Sequence, residues 1–279
     1  MRTSKLSSYL SVVALAGAVG CAGGEGVSSN HDKPSFETWT ETLYQEPSTG
    51  RYIVDWDMAV SADELPAYYD RLYGSGELTV NQVNGVDDVW NATAKHQLTY
   101  CIGNFGANQQ RVIDAMDEAT AGWAAVADVT FTHVSAQDGA GCTASNPNVL
   151  FDVNVTTGGQ FVARAFFPSS PRDQRNVIID ESAFDIDDDD VFSLDGVLAH
   201  ELGHALGFRH EHVRAPIFNI PFENWLNCIL EGFLDQNYRP VTGYDSASVM
   251  HYPQCGGTGV LQITALDAQG AAAIYGAPN

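Results

Sequence analysis

The stretch HELGHALGFRHEH, from His200 to His212, holds four of the chain's eight histidines together with two glutamates. The surrounding pattern predicts a helix over residues 193–208, with Ser193 as its N-cap. On it, His200 and His204 stand four apart and project from one face. Leu198, Leu202, Ala205 and Leu206 occupy the opposite face, which must be buried. Two imidazoles on adjacent turns can bind one Zn²⁺ at about 2.0–2.1 Å. Glu201 then lies beside the metal without being aimed at it, where a general base could take a proton from a water. Gly207 permits positive φ, ends the helix and turns the chain, so that His210 can return as a third ligand. Incidental histidines on a core helix are the competing reading, and the spacing of three histidines and a glutamate argues against it.

The rest of the chain intersperses strands and helices. Residues 52–54, 98–102, 129–134, 149–155, 161–167 and 177–179 read as strands. Residues 62–73, 108–127 and 222–233 read as helices. Val112, Met116, Ala119 and Trp123 line one face of the 108–127 segment at spacings of three and four. A last helix, residues 264–275, opens on Thr264 with Asp267 three residues later, a capping-box spacing. There are no internal repeats. The expected class is α/β or α+β, built on a twisted mixed sheet.

With 13 Lys and Arg against 35 Asp and Glu, the net charge of −22 excludes nucleic acid and anionic membrane surfaces as main partners. No segment after the first twenty residues is apolar for long enough to span a bilayer. Residues 1–20 read as a signal peptide, with Arg2 and Lys5 before a short apolar stretch. Ala18-Val19-Gly20-Cys21 resembles a bacterial lipoprotein cleavage box, in which Cys21 is lipidated; ordinary secretion with cleavage after Ala22 is the alternative. Residues 21–35 read as a tether. The expectation is therefore an exported monomer, freely secreted or held at the envelope, with membrane contact only through that anchor. Without Cys21 four cysteines remain, Cys101, Cys142, Cys228 and Cys255. They allow three pairings, of which proximity favours Cys101–Cys142 and Cys228–Cys255.

The H-E-x-x-H-x-x-G-x-x-H pattern resembles that of the metzincin zinc peptidases. Ser248-Val249-Met250-His251-Tyr252 is similar to their Met-turn, which sets Met250 beneath the zinc histidines. Glu211 after the third histidine, Tyr252 two residues after Met250, the Gly207-Phe208-Arg209-His210 run and Arg214 look astacin-like. Residues 160–168 and the ending around Ile274-Tyr275-Gly276 look matrixin-like; the structural-zinc histidine of matrixins would stand at Arg164, so one catalytic Zn²⁺ is expected. The resemblance covers about residues 89–276. It implies a metzincin fold with a C-terminal subdomain after His210, a catalytic domain over residues 87–279 and a propeptide-like region over residues 36–86.

The implied activity is that of a zinc endopeptidase acting on proteins or peptides. Glu201 serves as general base and Tyr252 donates to the oxyanion, while the 161–167 strand pairs with substrate backbone. Astacin-like precursors are held latent by an aspartate in an F-x-G-D motif. Tyr52-Ile53-Val54-Asp55-Trp56-Asp57 partly matches it, which makes Asp57 the candidate latency ligand and Asp55 the close alternative; the competing reading is that both are surface residues beside a strand. Asp185 and the run from Asp187 to Asp190 offer carboxylates for Ca²⁺, or form a solvated charge run. The alternative function is a non-catalytic binding or adhesion protein on the same scaffold. The cleavage-site preference is not legible.

Overall fold

In a computed structural model, residues 35–54, 57–66, 69, 80–185, 193–214, 228, 238–239, 241–242 and 245–278 are described. The expectations for residues 1–34, including Cys21, for Asp55, for the run from Asp187 to Asp190 and for most of residues 67–79 and 215–237 lie outside them. Residues 34–279 form one compact unit.

The centre is a five-stranded sheet. Its strands are β6 (Leu98–Ile102), β7 (Phe131–His133), β8 (Phe151–Thr156), β9 (Ala163–Arg164) and β10 (Asn176–Asp180), in the spatial order β7-β6-β8-β10-β9. The pairs β6–β7, β6–β8 and β8–β10 are parallel, and β9 is antiparallel on the outer edge. Parallel neighbours need long crossovers. One of these carries α2 (Gln109–Val126), which follows α1 (Phe36–Thr40). The 3.6-residue period of α2 buries Val112, Ala115, Met116, Ala119 and Trp123 on one face. That face packs on α3 (Leu194–Ala205), where Trp123 Nε1 donates to Ala199 O at 2.8 Å.

Helix α3 departs from the one-sided burial its pattern suggests. Leu198 and Leu202 are fully buried, but so are His200, Glu201 and His204. Ser193 caps it by accepting from Gly196 N. Thr264 and Asp267 form the reciprocal capping box of α4 (Ala265–Tyr275).

Two smaller sheets flank this core. One joins β1 (Tyr44–Gln45), β2 (Tyr52–Val54) and β3 (Met58–Val60) in order. The other is the hairpin β4 (Val80–Val83) and β5 (Val86–Asp87), with β11 (Tyr238–Arg239) on the far side of β4. Asn84 and Gly85 both take positive φ at the hairpin tip, the pairing that a tight two-residue turn requires. The strand expected over residues 161–167 is shorter: the ladder to β10 covers Ala163–Arg164. Beyond it, Ala165 N donates to Asp57 O, so the outer edge of β9 meets the chain around Met58.

Both disulfides join the cysteines nearest in sequence, Cys101–Cys142 and Cys228–Cys255. Each pair is buried within its own small apolar cluster.

Candidate metal centre

His200 and His204 reach the centre from α3, one turn apart. The Nδ1 of His200 lies 2.7 Å from Val249 O, and that of His204 lies 2.8 Å from Phe208 O. Each contact fixes the ring and its tautomer, which turns Nε2 inward as the ligand atom. Gly207, at φ +92°, turns the chain after the helix. A Cβ there would lie 2.2 Å from Asp88 O, so the position needs glycine for its conformation and for its close neighbour. The turn returns His210, whose Nε2 lies 3.0 Å from that of His204.

The fourth member is Asp57, more than a hundred residues away in sequence. Its Oδ2 lies 3.2 Å from His210 Nε2 and 3.3 Å from His200 Nε2, and its Oδ1 lies 3.5 Å from His204 Nε2. One ligand atom from each of Asp57, His200, His204 and His210 falls within 4.8 Å of the others, and all four residues are buried. His200 Nε2 and Asp57 Oδ1 are enclosed without a hydrogen-bond partner. A buried polar atom in that state requires an explanation, and a metal is one that suits nitrogen and oxygen donors arranged in this way. Burial, against the nearby Asp57 charge, holds the His204 imidazole down at about 4, hence neutral and ready to ligate. For Asp57, burial works upward, but the electrostatic and hydrogen-bond contacts with the surrounding histidines, His210 first, outweigh it and hold the carboxyl well below the usual range. The donor set fits Zn²⁺.

Glu201 stands outside that set of four. It is buried, and its Oε2 has no hydrogen-bond partner. Burial first, and then the Asp57 charge, push its carboxyl well above the ordinary value.

The floor of the site is the turn through Ser248, Val249, Met250 and His251, closed by His251 N donating to Ser248 O at 3.0 Å. Asp267 fastens it, accepting from Ser248 Oγ at 2.6 Å and Val249 N at 2.9 Å while also capping α4. Glu211 joins the same floor: its N donates to Met250 O, and its Oε1 accepts from Asp245 N. Met250 packs against Gly203, where a Cβ would lie 2.3 Å from its Sδ. Gly203→Ala is therefore expected to destabilise the chain by about 1–3 kcal/mol through overpacking, read as a lowered Tm in thermal unfolding. Tyr252 lays its ring 4.2 Å from that of His210 and 4.9 Å from that of His212. Its hydroxyl donates to Asp57 Oδ2 at 2.5 Å.

The structure thus gathers His200, Glu201, His204, His210, Met250, Tyr252 and Asp57 in one place. The disulfide cysteines lie outside the four-residue donor set, and the acidic run from Asp187 to Asp190 lies outside the described residues. Among the described residues no cluster matching a calcium site stands apart from this centre. Sequence reasoning missed the carbonyls of Val249 and Phe208 that aim the histidines, for backbone acceptors leave no residue-type signal. It also missed the second duty of Asp267, for which the capping box was the only trace.

Two families match the chain. Matrixin matches residues 89–226, and the astacin peptidase family matches residues 188–272, including the metal helix and the floor turn. High choriolytic enzyme 2 of Oryzias latipes is 39% identical over 61 residues, which is 20% of this chain and 22% of that protein. Astacin-like metalloendopeptidase of Mus musculus is 44% identical over 62 residues, 20% of this chain and 14% of that protein. The matched stretch thus spans less than a quarter of each relative's length. Among solved structures, myroilysin aligns with a TM-score of 0.45 at 18% identity, over 71% of this chain and 98% of that one. The zinc-protease High choriolytic enzyme 1 of Oryzias latipes aligns with a TM-score of 0.41 at 15% identity, over 67% and 94%. With the histidine cluster and the two overlapping family matches together, the chain is similar to the metzincin zinc metallopeptidases, with astacin-like features in its C-terminal half.

Proposed function

We propose that the chain is an exported zinc endopeptidase made as a latent precursor. The observation that carries this is the convergence of three oriented histidines on one point, with the buried Glu201, whose Oε2 has no hydrogen-bond partner, next to His200 on the same helix. His200, His204 and His210 would hold the Zn²⁺, with Asp57 adding a carboxylate oxygen in the precursor. When bound, the metal supplies Lewis acidity, polarising a carbonyl and drawing the pKa of a water towards about 7. Glu201 takes the proton of the attacking water and passes it to the leaving amine. Met250, Gly207 and Glu211 hold the floor and the turn that keep the histidines in register. A substrate backbone would pair with the edge of β9, where Ala165 N now holds Asp57 O. Two disulfides accord with an oxidising compartment, and among the described residues no helix is long and apolar enough to cross a membrane.

Residues 36–86 act as the prosegment. Asp57 lies among the histidines and Tyr252 is committed to it. Cleavage near residues 84–90 would release both. The hairpin β4–β5 spans much of that range and is tied to the rest of the fold: Val80 bridges to Phe208, and Asp87 pairs with Arg239. Once Asp57 has gone, the Tyr252 hydroxyl is available to the oxyanion. Tyr252→Phe in the processed enzyme is expected to lower kcat with little change in KM. By analogy with other oxyanion donors the loss is about 10²–10³-fold. Steady-state kinetics on a quenched peptide reads it, and a kcat within about twofold of wild type would leave Tyr252 a packing residue only.

Clearing of casein or gelatin by the processed chain, with and without a chelator, tests the function. Chelator-sensitive clearing is the expected result. No clearing by a processed, folded, zinc-loaded chain would favour a binding or adhesion protein on the same scaffold.

A further inference from the structure

Arg164 is a fully buried charged side chain at the sheet edge, and the catalytic chemistry above makes no use of it. Nε and Nη2 each donate to one oxygen of the Glu46 carboxylate at 2.8 Å, a two-pronged fork. Nη1 donates to Asn176 Oδ1 at 2.7 Å, and the same oxygen accepts from Arg51 at 2.6 Å. Glu46 and Arg51 belong to the region read as prosegment. Arg164 and Asn176 belong to paired strands of the central sheet, β9 and β10.

The neighbouring surfaces divide in the same way. Ile53 and Ala59 pack with Phe161, and Tyr44 and Ile178 lean on that cluster. Phe167 packs against the cluster of Val54, Met58 and Leu65. One residue beyond Arg164, Ala165 N holds the backbone of Asp57, whose carboxylate sits among the zinc-ligating histidines. Removal of residues 36–86 would therefore uncover an arginine fork and an amide, bordered by Phe161, Phe167 and Ile178, along the edge strand that leads to the metal.

We propose that Arg164 and Asn176 form a carboxylate-binding subsite. Glu46 fills it in the precursor, and an acidic side chain of a bound peptide fills it in the processed enzyme. The ligand it suits is an extended peptide with one Glu or Asp flanked by bulky apolar residues, as Glu46 is accompanied by Tyr44, Tyr52 and Ile53. Without Glu46, Arg164 keeps Asn176 Oδ1 for Nη1 but loses the protein acceptor of Nε and Nη2, and a carboxylate satisfies both in one plane. This rests on the reading of residues 36–86 as a prosegment.

The test uses processed wild-type enzyme and quenched peptides that differ only by Glu or Gln at one position at a time. One position is expected at which Glu raises kcat/KM about tenfold over Gln, the size of one charge-assisted contact. Arg164→Gln should bring that ratio to about one, and Arg164→Lys, which keeps the charge but not the fork, should retain part of it. Should the Arg164 variants not fold, wild-type enzyme still decides through two synthetic peptides of residues 42–60, one native and one with Glu46→Gln. The native peptide is expected to bind about tenfold more tightly. No Glu preference at any position, or equal affinity for the two peptides, overturns the subsite. A precursor as active as the processed enzyme overturns the prosegment reading instead, while the Glu-to-Gln ratio of the processed enzyme still decides the subsite.

Discussion

Glu201→Gln is expected to abolish nearly all peptide hydrolysis while leaving zinc bound. Glu201 adjoins His200 on α3 but is not among the four residues whose donor atoms converge. The amide is nearly isosteric, so the buried pocket is kept. It cannot accept the proton of the attacking water, and a general base contributes about 10²–10⁴-fold to such a reaction. The expected result is a fall of that size in kcat/KM with one equivalent of zinc retained, measured by peptide cleavage and metal analysis on the same sample. Turnover equal to wild type would remove Glu201 from the mechanism and leave it as a buried polar group of the helix.

Asp57→Ala is expected to activate the unprocessed chain. The Asp57 carboxylate is held among three histidines and accepts from the Tyr252 hydroxyl. Hydrogen bonds to a charged group contribute about 1.5–3 kcal/mol each. Losing one such contribution opens the site by about 10- to 150-fold, since each 1.4 kcal/mol is a factor of ten. The Glu46–Arg164 pair would still anchor the prosegment in this variant, so activation is expected to stop short of the processed enzyme. The measurement is the rate of quenched-peptide cleavage by the precursor lacking residues 1–20, as wild type, as Asp57→Ala and as Asp55→Ala. Activation by Asp55→Ala alone would move the latency ligand two residues. A wild-type precursor already as active as the processed enzyme would leave no aspartate switch.

What was legible in the sequence was local. The metal helix could be read because its donors repeat at 3.6-residue spacing and its stop signal, Gly207, is a residue type with a defined backbone use. The capping box of Thr264 and Asp267 and the buried stripe of α2 were legible for the same reason. The share of β9 in the sheet was overread: residues 161–167 look like one apolar strand, but the ladder holds two residues. The all-round burial of α3 was not legible either, because its polar face is covered by residues distant in sequence. Asp57 was named through a partial motif, and nothing in its own neighbourhood could say that three histidines would surround it. The Arg164–Glu46 pair spans 118 positions. Composition marks both residues as surface types, so only the assembled sheet edge reveals their burial.

The central claim is that three histidines and Glu201 make a zinc-dependent peptidase. It is tested most directly by preparing the processed enzyme free of metal and titrating zinc back while peptide cleavage is followed. Activity is expected to be absent at the start, to rise linearly and to reach its plateau at one zinc per chain, and His204→Ala should show neither tight zinc binding nor cleavage. Cleavage by the metal-free enzyme, or by His204→Ala at the wild-type rate, would contradict the account.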